Sequence, residues 1–394
     1  MHALIIGGGI AGLCASIALR RAGIESTLFE RSPRFTEVGA GISLWANALR
    51  ALDHIGVGDS IRARGKPSAA GEVRREDGRV LLRVEYARFE RDLDLPPTLW
   101  MLHRAELIEA LAQHVPPATV RLGKRLVSVE QQHRAFSSND HPGPVTAMFD
   151  DGSRATGDIL IGADGIRSAV RAAVFGDSPP RYAGYTCWRG VATIPPELHP
   201  TDVLVEIWGR GQRFGITPLP GGRVYWFAVA DAPAGDSSPD EHSEVSRLFR
   251  SWAPPVPQII AQTPADAVIR NDIIDRVPAR PWCREAVVLI GDAAHATTPN
   301  LGQGGCMAIE DAPILARCLK ANGSTSAALE AFERLRFERT AAVTHGSWRM
   351  GRLAQGSSGF MRFARDWLTR LSPPRFAYRQ MTGLARYDTG PVEA

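Results

Sequence analysis

Lysine is almost missing from this chain: of 46 basic residues only Lys66, Lys124 and Lys320 are lysines, and the rest are arginines. Against 42 acidic residues the formal charge is +4, too small a surplus for this length to imply a nucleic-acid partner. Cysteine is scarce as well. Cys14, Cys187, Cys283, Cys306 and Cys318 are odd in number and scattered, without the paired spacing of a zinc site or a disulfide framework, so no metal and a reducing cytoplasm are expected. No run of about 18 uninterrupted apolar residues occurs, so no segment is expected to span a bilayer. The opening Met1-His2-Ala3-Leu4 lacks the basic region and cleavage site of a secretory signal. Low-complexity runs and internal repeats are also absent. With 44% hydrophobic and 22% charged residues, the composition is globular and excludes disorder, collagen and coiled coil.

What is present is length and glycine. The 394 residues exceed what one hydrophobic core usually serves, which predicts two lobes. Ala3 to Ile6 is a short apolar run, followed by Gly7, Gly9 and Gly12, an alanine-rich stretch ending at Gly23, and a second short strand ending at Glu30. That is a βαβ unit of about 30 residues. Asp77-Gly78 predicts a hairpin between Gly71 and Glu85, and Val120 to Glu130 reads as one strand. Strands broken by Pro-Gly loops run from about Tyr182 to Ile273. The expected fold is α/β: a Rossmann-like parallel-sheet lobe built from residues 1–70, 100–180 and 274–330, interleaved with a mostly antiparallel β-sheet lobe from 71–99 and 181–273. Helices form a C-terminal region over 331–394.

Gly7, Gly9 and Gly12 fit G-x-G-x-x-G, with Ala11 inside the motif, and each glycine has a mechanical task. They serve a tight turn, close approach to a pyrophosphate, and close helix-to-strand packing. Glu30, 18 residues after Gly12 at the end of the next strand, suits a ribose hydroxyl pair and disfavours a 2′-phosphate. Two further signals follow apolar strands: Gly162-Ala163-Asp164-Gly165-Ile166-Arg167-Ser168 and Gly291-Asp292-Ala293-Ala294-His295. Ligands in α/β sheets lie beyond such carboxyl ends, although either aspartate also suits a plain helix cap or turn. In Pro299 to Gly305 the glycines leave backbone N–H groups open at the start of a helix, which is an anion site.

Together with Arg104 in Arg104-Ala105-Glu106-Leu107, these segments resemble the FAD-dependent aromatic hydroxylases, the single-component flavoprotein monooxygenases of the p-hydroxybenzoate hydroxylase type. Gly184-Tyr185-Thr186-Cys187 and the stretch Pro299 to Asp311 are most similar to the branch with urate hydroxylase, salicylate hydroxylases and zeaxanthin epoxidase. The resemblance implies FAD as cofactor and NADH or NADPH as transient co-substrate. It further implies hydroxylation of a small aromatic or heteroaromatic substrate with O2, through a flavin hydroperoxide. It places Glu30 on the adenosine ribose with Arg31 and Val127 nearby, Arg104 on the pyrophosphate side and Asp292 on the ribityl chain. Asp164 and Gly165 match a motif linked to FAD and nicotinamide binding, and Pro299, Gly302, Gly304 and Gly305 would face the flavin's pyrimidine edge. Cys306 would pack, and His295 receives no catalytic role.

Arg213 and Tyr225, on neighbouring predicted strands, are the candidates for holding substrate; a surface arginine and a core tyrosine are the plain alternatives. Trp188, Trp208 and Trp226 are expected in the sheet core. The stretch from Phe360 to Tyr378 carries Phe363, Trp367, Leu368 and Leu371 beside Arg362, Arg365, Arg370 and Arg375. Its apolar stripe is expected to cover a neighbouring surface, with the arginine stems folded along it; a helix lying on a membrane surface is the alternative reading. Other activities compatible with the sequence are an epoxidase or tailoring oxygenase acting on an isoprenoid or polyketide, and an FAD-binding reductase without monooxygenase turnover. A halogenase lacks its tryptophan-rich signature and relay lysine here. A monomer or homodimer without integral membrane contact is expected.

Overall fold

Apolar runs of four to six residues make the buried strands, because a parallel strand covered on both faces needs no polar alternation. The computed structural model describes residues 1–35, 41–93, 99–131, 143–198, 202–321, 324–356, 358–371 and 374–393. The remaining positions of the expected lobes, 36–40, 94–98, 132–142, 199–201, 322–323, 357, 372–373 and 394, lie outside the described residues. A six-stranded sheet runs in the order Cys283–Arg284, Val287–Leu289, Ile159–Gly162, His2–Ile6, Glu25–Glu30, Val120–Leu122. Five of these strands are parallel and Cys283–Arg284 is an antiparallel edge. The Ile10–Arg21 helix packs against the Gly304–Ala321 helix over this sheet, in one apolar core.

The expected strand Val120 to Glu130 is two. Gly123, at φ +70°, turns the chain between Val120–Leu122 and Leu126–Gln131, which join different sheets. The backbone N–H groups of Gly123 and Lys124 bond Ser32 O and Glu30 O, so the turn is fixed by the neighbouring strand end, a partner that strand propensity does not reveal.

A seven-stranded sheet forms the second lobe, in the order Ile269–Asp275, Arg181–Thr193, Arg223–Asp231, Gln212–Pro218, Val203–Trp208, Ala70–Arg75, Val80–Glu85. Only Val203–Trp208 and Ala70–Arg75 pair in parallel. The hairpin at Asp77-Gly78 forms as expected, with Gly78 at φ +86°. Alternation gives this sheet two different faces. Trp188, Trp226, Phe214 and Ile216 point to the Glu241–Phe249 and Val256–Ala261 helices, where Phe214 and Trp226 stack at 5.5 Å. Tyr185, Cys187, Arg189, Tyr225, Phe227 and Arg213 stand on the other face, as the cross-strand register requires.

The Gly359–Leu371 helix is turned over relative to expectation. Phe363, Trp367, Leu368 and Leu371 are all more than half exposed, while Arg365 is 2% exposed and points inward. The reason is carbonyl satisfaction. Arg365 donates to Gly209 O and Ala354 O and lies over the Trp208 ring, so its cation docks the helix where an apolar stripe was expected to. Arg362 adds an ion pair to Glu76 at 2.8 Å, and the side chain of Arg375 lies outside the described residues. Among the described residues no helix is long and apolar enough to cross a membrane.

Candidate active site

The three fingerprint glycines have separable reasons to be glycine. A Cβ on Gly12 would sit 1.9 Å from Gly7 O, and one on Gly7, at φ +111°, would sit 2.4 Å from Ala163 O. Both positions are closed by the protein's own backbone. A Cβ on Gly9 would meet nothing within 4 Å, and Gly9 precedes the Ile10–Arg21 helix without a side-chain cap. The helix's first N–H groups and its positive dipole end therefore face open space, as a pyrophosphate requires. Ala11 follows on the first turn, with the Gly291 backbone close against its methyl group. Glu30 accepts from Gly8 N at 2.7 Å and Ser32 N at 2.8 Å, which fixes the carboxylate while leaving lone pairs for a diol. Arg31 and Val127 are exposed, Val127 at 63%.

At the next strand end Asp164 does what a capping aspartate does. Its oxygens accept from Ser168 Oγ and Val170 N at the start of the Ala169–Phe175 helix, and Ser168 accepts from Arg171 N. Burial raises its carboxyl pKa, against those hydrogen bonds. Gly165 beside it has φ +80° and open space around it. Arg171 donates to Ala293 O at 2.7 Å and Ala294 O at 2.9 Å, tying this turn to the Gly291-Asp292 turn.

Asp292, the first residue of the short Asp292–His295 helix, is exposed. Desolvation raises its carboxyl pKa, and His295 and Arg104 pull the other way. Beyond it, Pro299–Leu301 is a short turn, Gly302 adopts φ +63°, and Gly304 opens the Gly304–Ala321 helix. A Cβ on Gly302 would lie 2.9 Å from Ser43 Oγ, and one on Gly305 2.9 Å from Ile42 Cδ1. The loop thus lies flush on the strand Gly41–Trp45. Trp45 Nε1, Thr297 Oγ1 and Gln303 Nε2 are buried without a hydrogen-bond partner. Orphaned polar atoms beside an open helix N-terminus fit a ligand rich in acceptors, such as the pyrimidine edge of a flavin. Cys306 is fully buried, and burial pushes its thiol up to about 12, so it packs and does not react.

Behind the loop lies a buried polar spine that pattern reading missed. Asp311 meets Arg336 Nε at 2.7 Å, His295 Nε2 at 2.7 Å and Gly291 N at 2.8 Å. Glu310 pairs with Arg336 at 2.7 Å and Arg339 at 3.1 Å, and it accepts from Asn47. The available signal was two adjacent acids inside an apolar helix, which must find cations once buried.

The exposed face of the seven-stranded sheet closes over this loop at two points. Tyr185 Oη accepts from Asn300 Nδ2 at 2.9 Å. Tyr225 lies against Gly41, where a Cβ would fall 2.5 Å from its ring. Burial raises the Tyr225 phenol pKa, with Arg189 and Arg104 opposing. Arg213 and Tyr225 share the face but do not meet, since Thr217 and not Arg213 is the register partner of Tyr225. Four residues of strand put them about 13 Å apart. Arg213 donates to Gln355 Oε1 and Asn300 Oδ1, each at 2.9 Å, and to Glu206 Oε1 at 3.2 Å.

The family described as FAD binding domain matches residues 1–347. The chain is 40% identical over 369 residues to aurachin C monooxygenase/isomerase of Stigmatella aurantiaca, covering 93% of either chain. It is 37% identical over 344 residues to FAD-dependent urate hydroxylase of Klebsiella pneumoniae, covering 86% of either. The crystal structure of Klebsiella pneumoniae HpxO complexed with FAD and uric acid superposes with a TM-score of 0.89 at 32% identity, over 100% of this chain and 98% of that one. The chain therefore belongs to the FAD binding domain family and is an FAD-dependent monooxygenase of the aromatic hydroxylase type.

Proposed function

We propose that the substrate is a small, flat, oxygen-bearing aromatic or heteroaromatic ring, hydroxylated with NADH or NADPH as electron donor and O2 as oxygen source. FAD supplies the redox chemistry and oxygen activation that no side chain offers. This chain's residues bind, orient and exclude water. Gly7, Gly9, Ala11 and Gly12 receive the pyrophosphate on the helix start, with Arg104 on its side. Glu30 holds the adenosine ribose, flanked by Arg31 and Val127. Asp292 holds the ribityl chain, and Asp164 with Gly165 shapes the turn beside it. Pro299, Gly302, Gly304 and Gly305 present backbone N–H groups to the pyrimidine edge, where they stabilise negative charge.

Opposite them, Tyr225 and Phe227 offer an aromatic wall, their ring centroids 6.3 Å apart, against which a planar substrate stacks. Arg213 holds the far end of that wall through Asn300 and Gln355. The carrying observation is the pair of closures, Tyr185 on Asn300 and Tyr225 on Gly41, which place a sheet face over the glycine-rich loop. The test is NADH consumption under air with candidate rings, combined with labelled dioxygen. Faster consumption and label in a hydroxylated product support the reading. A flavin-loaded protein that oxidises NADH and transfers label to none of them is a reductase, and label in an isoprenoid epoxide replaces the substrate class.

A further inference from the structure

The two arginines on the cleft face of the sheet differ in what surrounds them. Arg213 is 3% exposed, and each of its three nitrogens has a partner, Glu206 among them. Arg189 stands between the two closures, opposite Phe227 on one neighbouring strand and Ile269 on the other. It is half-buried. The titratable groups that face it are the thiol of Cys187, on its own strand and hydrogen-bonded to the guanidinium, and the phenol of Tyr225. The next strand presents Ile269, and from the cofactor lobe Arg104 reaches Tyr225. Among the described residues no carboxylate pairs with Arg189. A cation drawn out of water without a counter-charge is costly to hold, and an anionic ligand removes that cost. Gly215 keeps the neighbourhood flat: a Cβ there would lie 2.0 Å from the Phe227 ring, the ring next to Arg189.

We propose that Arg189 binds an oxyanion of the substrate, the deprotonated hydroxyl or enolised carbonyl of a ring laid against Phe227 and Tyr225. The inference rests on the cleft assigned above and adds the charge its substrate carries. The O–H bond breaks heterolytically, the electron pair stays on the ring oxygen, and the proton leaves to solvent. The guanidinium then favours the charged form of its ligand. An oxygen anion also enriches the ring carbons ortho and para to it, where an electrophilic oxygen adds.

The FAD-loaded enzyme is titrated with 4-nitrophenol, whose own absorption reports its ionisation, and with nitrobenzene as the matched ring without the hydroxyl. Flavin absorbance follows binding. The wild type should bind 4-nitrophenol as its anion and lower the probe's pKa by about 1 to 3 units, as a neighbouring arginine does. In Arg189→Gln the shift should vanish and affinity for 4-nitrophenol fall about 10- to 100-fold, the loss of one charged hydrogen bond. Nitrobenzene binding should stay unchanged, and Arg189→Lys should recover much of the pKa shift. An unchanged bound pKa in Arg189→Gln overturns the proposal. So does equal loss of both probes with flavin retained, or a wild type that fails to take up the anion. If Arg189→Gln does not retain flavin, the Arg189→Lys titration decides on the same criteria. Arg189-dependent anion binding without labelled oxygen in any product would sink the hydroxylase reading and leave the anion site standing. Hydroxylation with no dependence of the bound pKa on Arg189 would do the reverse.

Discussion

Asp292 and Asp311 lie on either side of the Gly291 turn, and they have opposite fates. Asp292 is exposed, and desolvation raises its carboxyl pKa. Asp311 is fully buried. Burial works to raise its pKa too, but His295 and Arg336 outweigh it and hold the group below the usual carboxylate range. One region keeps an acid incompletely satisfied, which suits a ligand that arrives later; in the other both oxygens of Asp311 are satisfied and the acid becomes structure. Exposure, and not residue type, separates the two.

The largest effect should come from breaking the satisfied region. Asp311→Ala leaves Arg336, which is 0% exposed, without one of its two carboxylates and removes the acceptor of Gly291 N and His295. Cutting one partner from a buried ion pair costs about 3–5 kcal/mol, read as the urea midpoint of the apoprotein or as loss of soluble protein. Next come two glycines of one motif. Gly12→Ala forces a methyl group onto Gly7 O and should abolish both flavin retention and stable folding. Gly9→Ala enters open space. It should cost the apoprotein no more than about 1 kcal/mol as an altered N-cap, while flavin retention, followed by ultrafiltration, drops sharply. Equal stability losses in the two variants would refute the division between a closed and an open glycine.

Legibility in the sequence followed locality. Gly7, Gly9, Gly12 and Glu30 lie within one βαβ unit, so spacing alone foretold that they come together. The hairpin at Asp77-Gly78 was equally plain, because its turn chemistry is carried by two adjacent residues. The break at Gly123 was not, since it answers to Glu30 and Ser32 from another strand. Arg365 entered the interior for carbonyls contributed by Gly209 and Ala354, far from it in the chain. The polar spine joins residues 47, 291, 295, 310, 311 and 336, which no short window contains, and Arg189 acquires its setting only from register with Phe227 and Ile269. Pattern also could not say that Arg213 and Tyr225, on neighbouring strands, stand four residues out of register.

Arg213 sharpens the comparison from the sheet side. Arg213→Gln should leave Gln355 Oε1 without its donor and Asn300 Oδ1 and Glu206 with only Tyr185 and Trp208, at about 1–3 kcal/mol for the unsatisfied group, and loosen the wall proposed to face the substrate. The expected reading is a lower melting temperature and more NADH consumed per product formed, with flavin retention unchanged. A stable variant with normal coupling and weaker substrate binding would mean that Arg213 touches substrate directly.

The smallest stability effect, and one of opposite sign, belongs to Asp292. Because the raised pKa of Asp292 disfavours its ionised form in the folded chain, the unfolded chain releases this proton first as pH rises. Above the ordinary carboxylate pKa the folded apoprotein then binds more protons at this site than the unfolded chain, so its stability falls until the raised pKa is passed. Asp292→Asn removes that slope. Compared by urea unfolding without flavin, the two proteins should match near pH 3, where both carboxyl states are protonated, and the variant should gain on the wild type as pH rises through the carboxylate range and above. With FAD added the order should reverse, because the acid that is unfavourable in the apoprotein is the group proposed to hold the ribityl chain. A variant that is less stable at every pH and holds flavin as tightly as the parent would place Asp292 with Asp311, among the residues that serve only the fold.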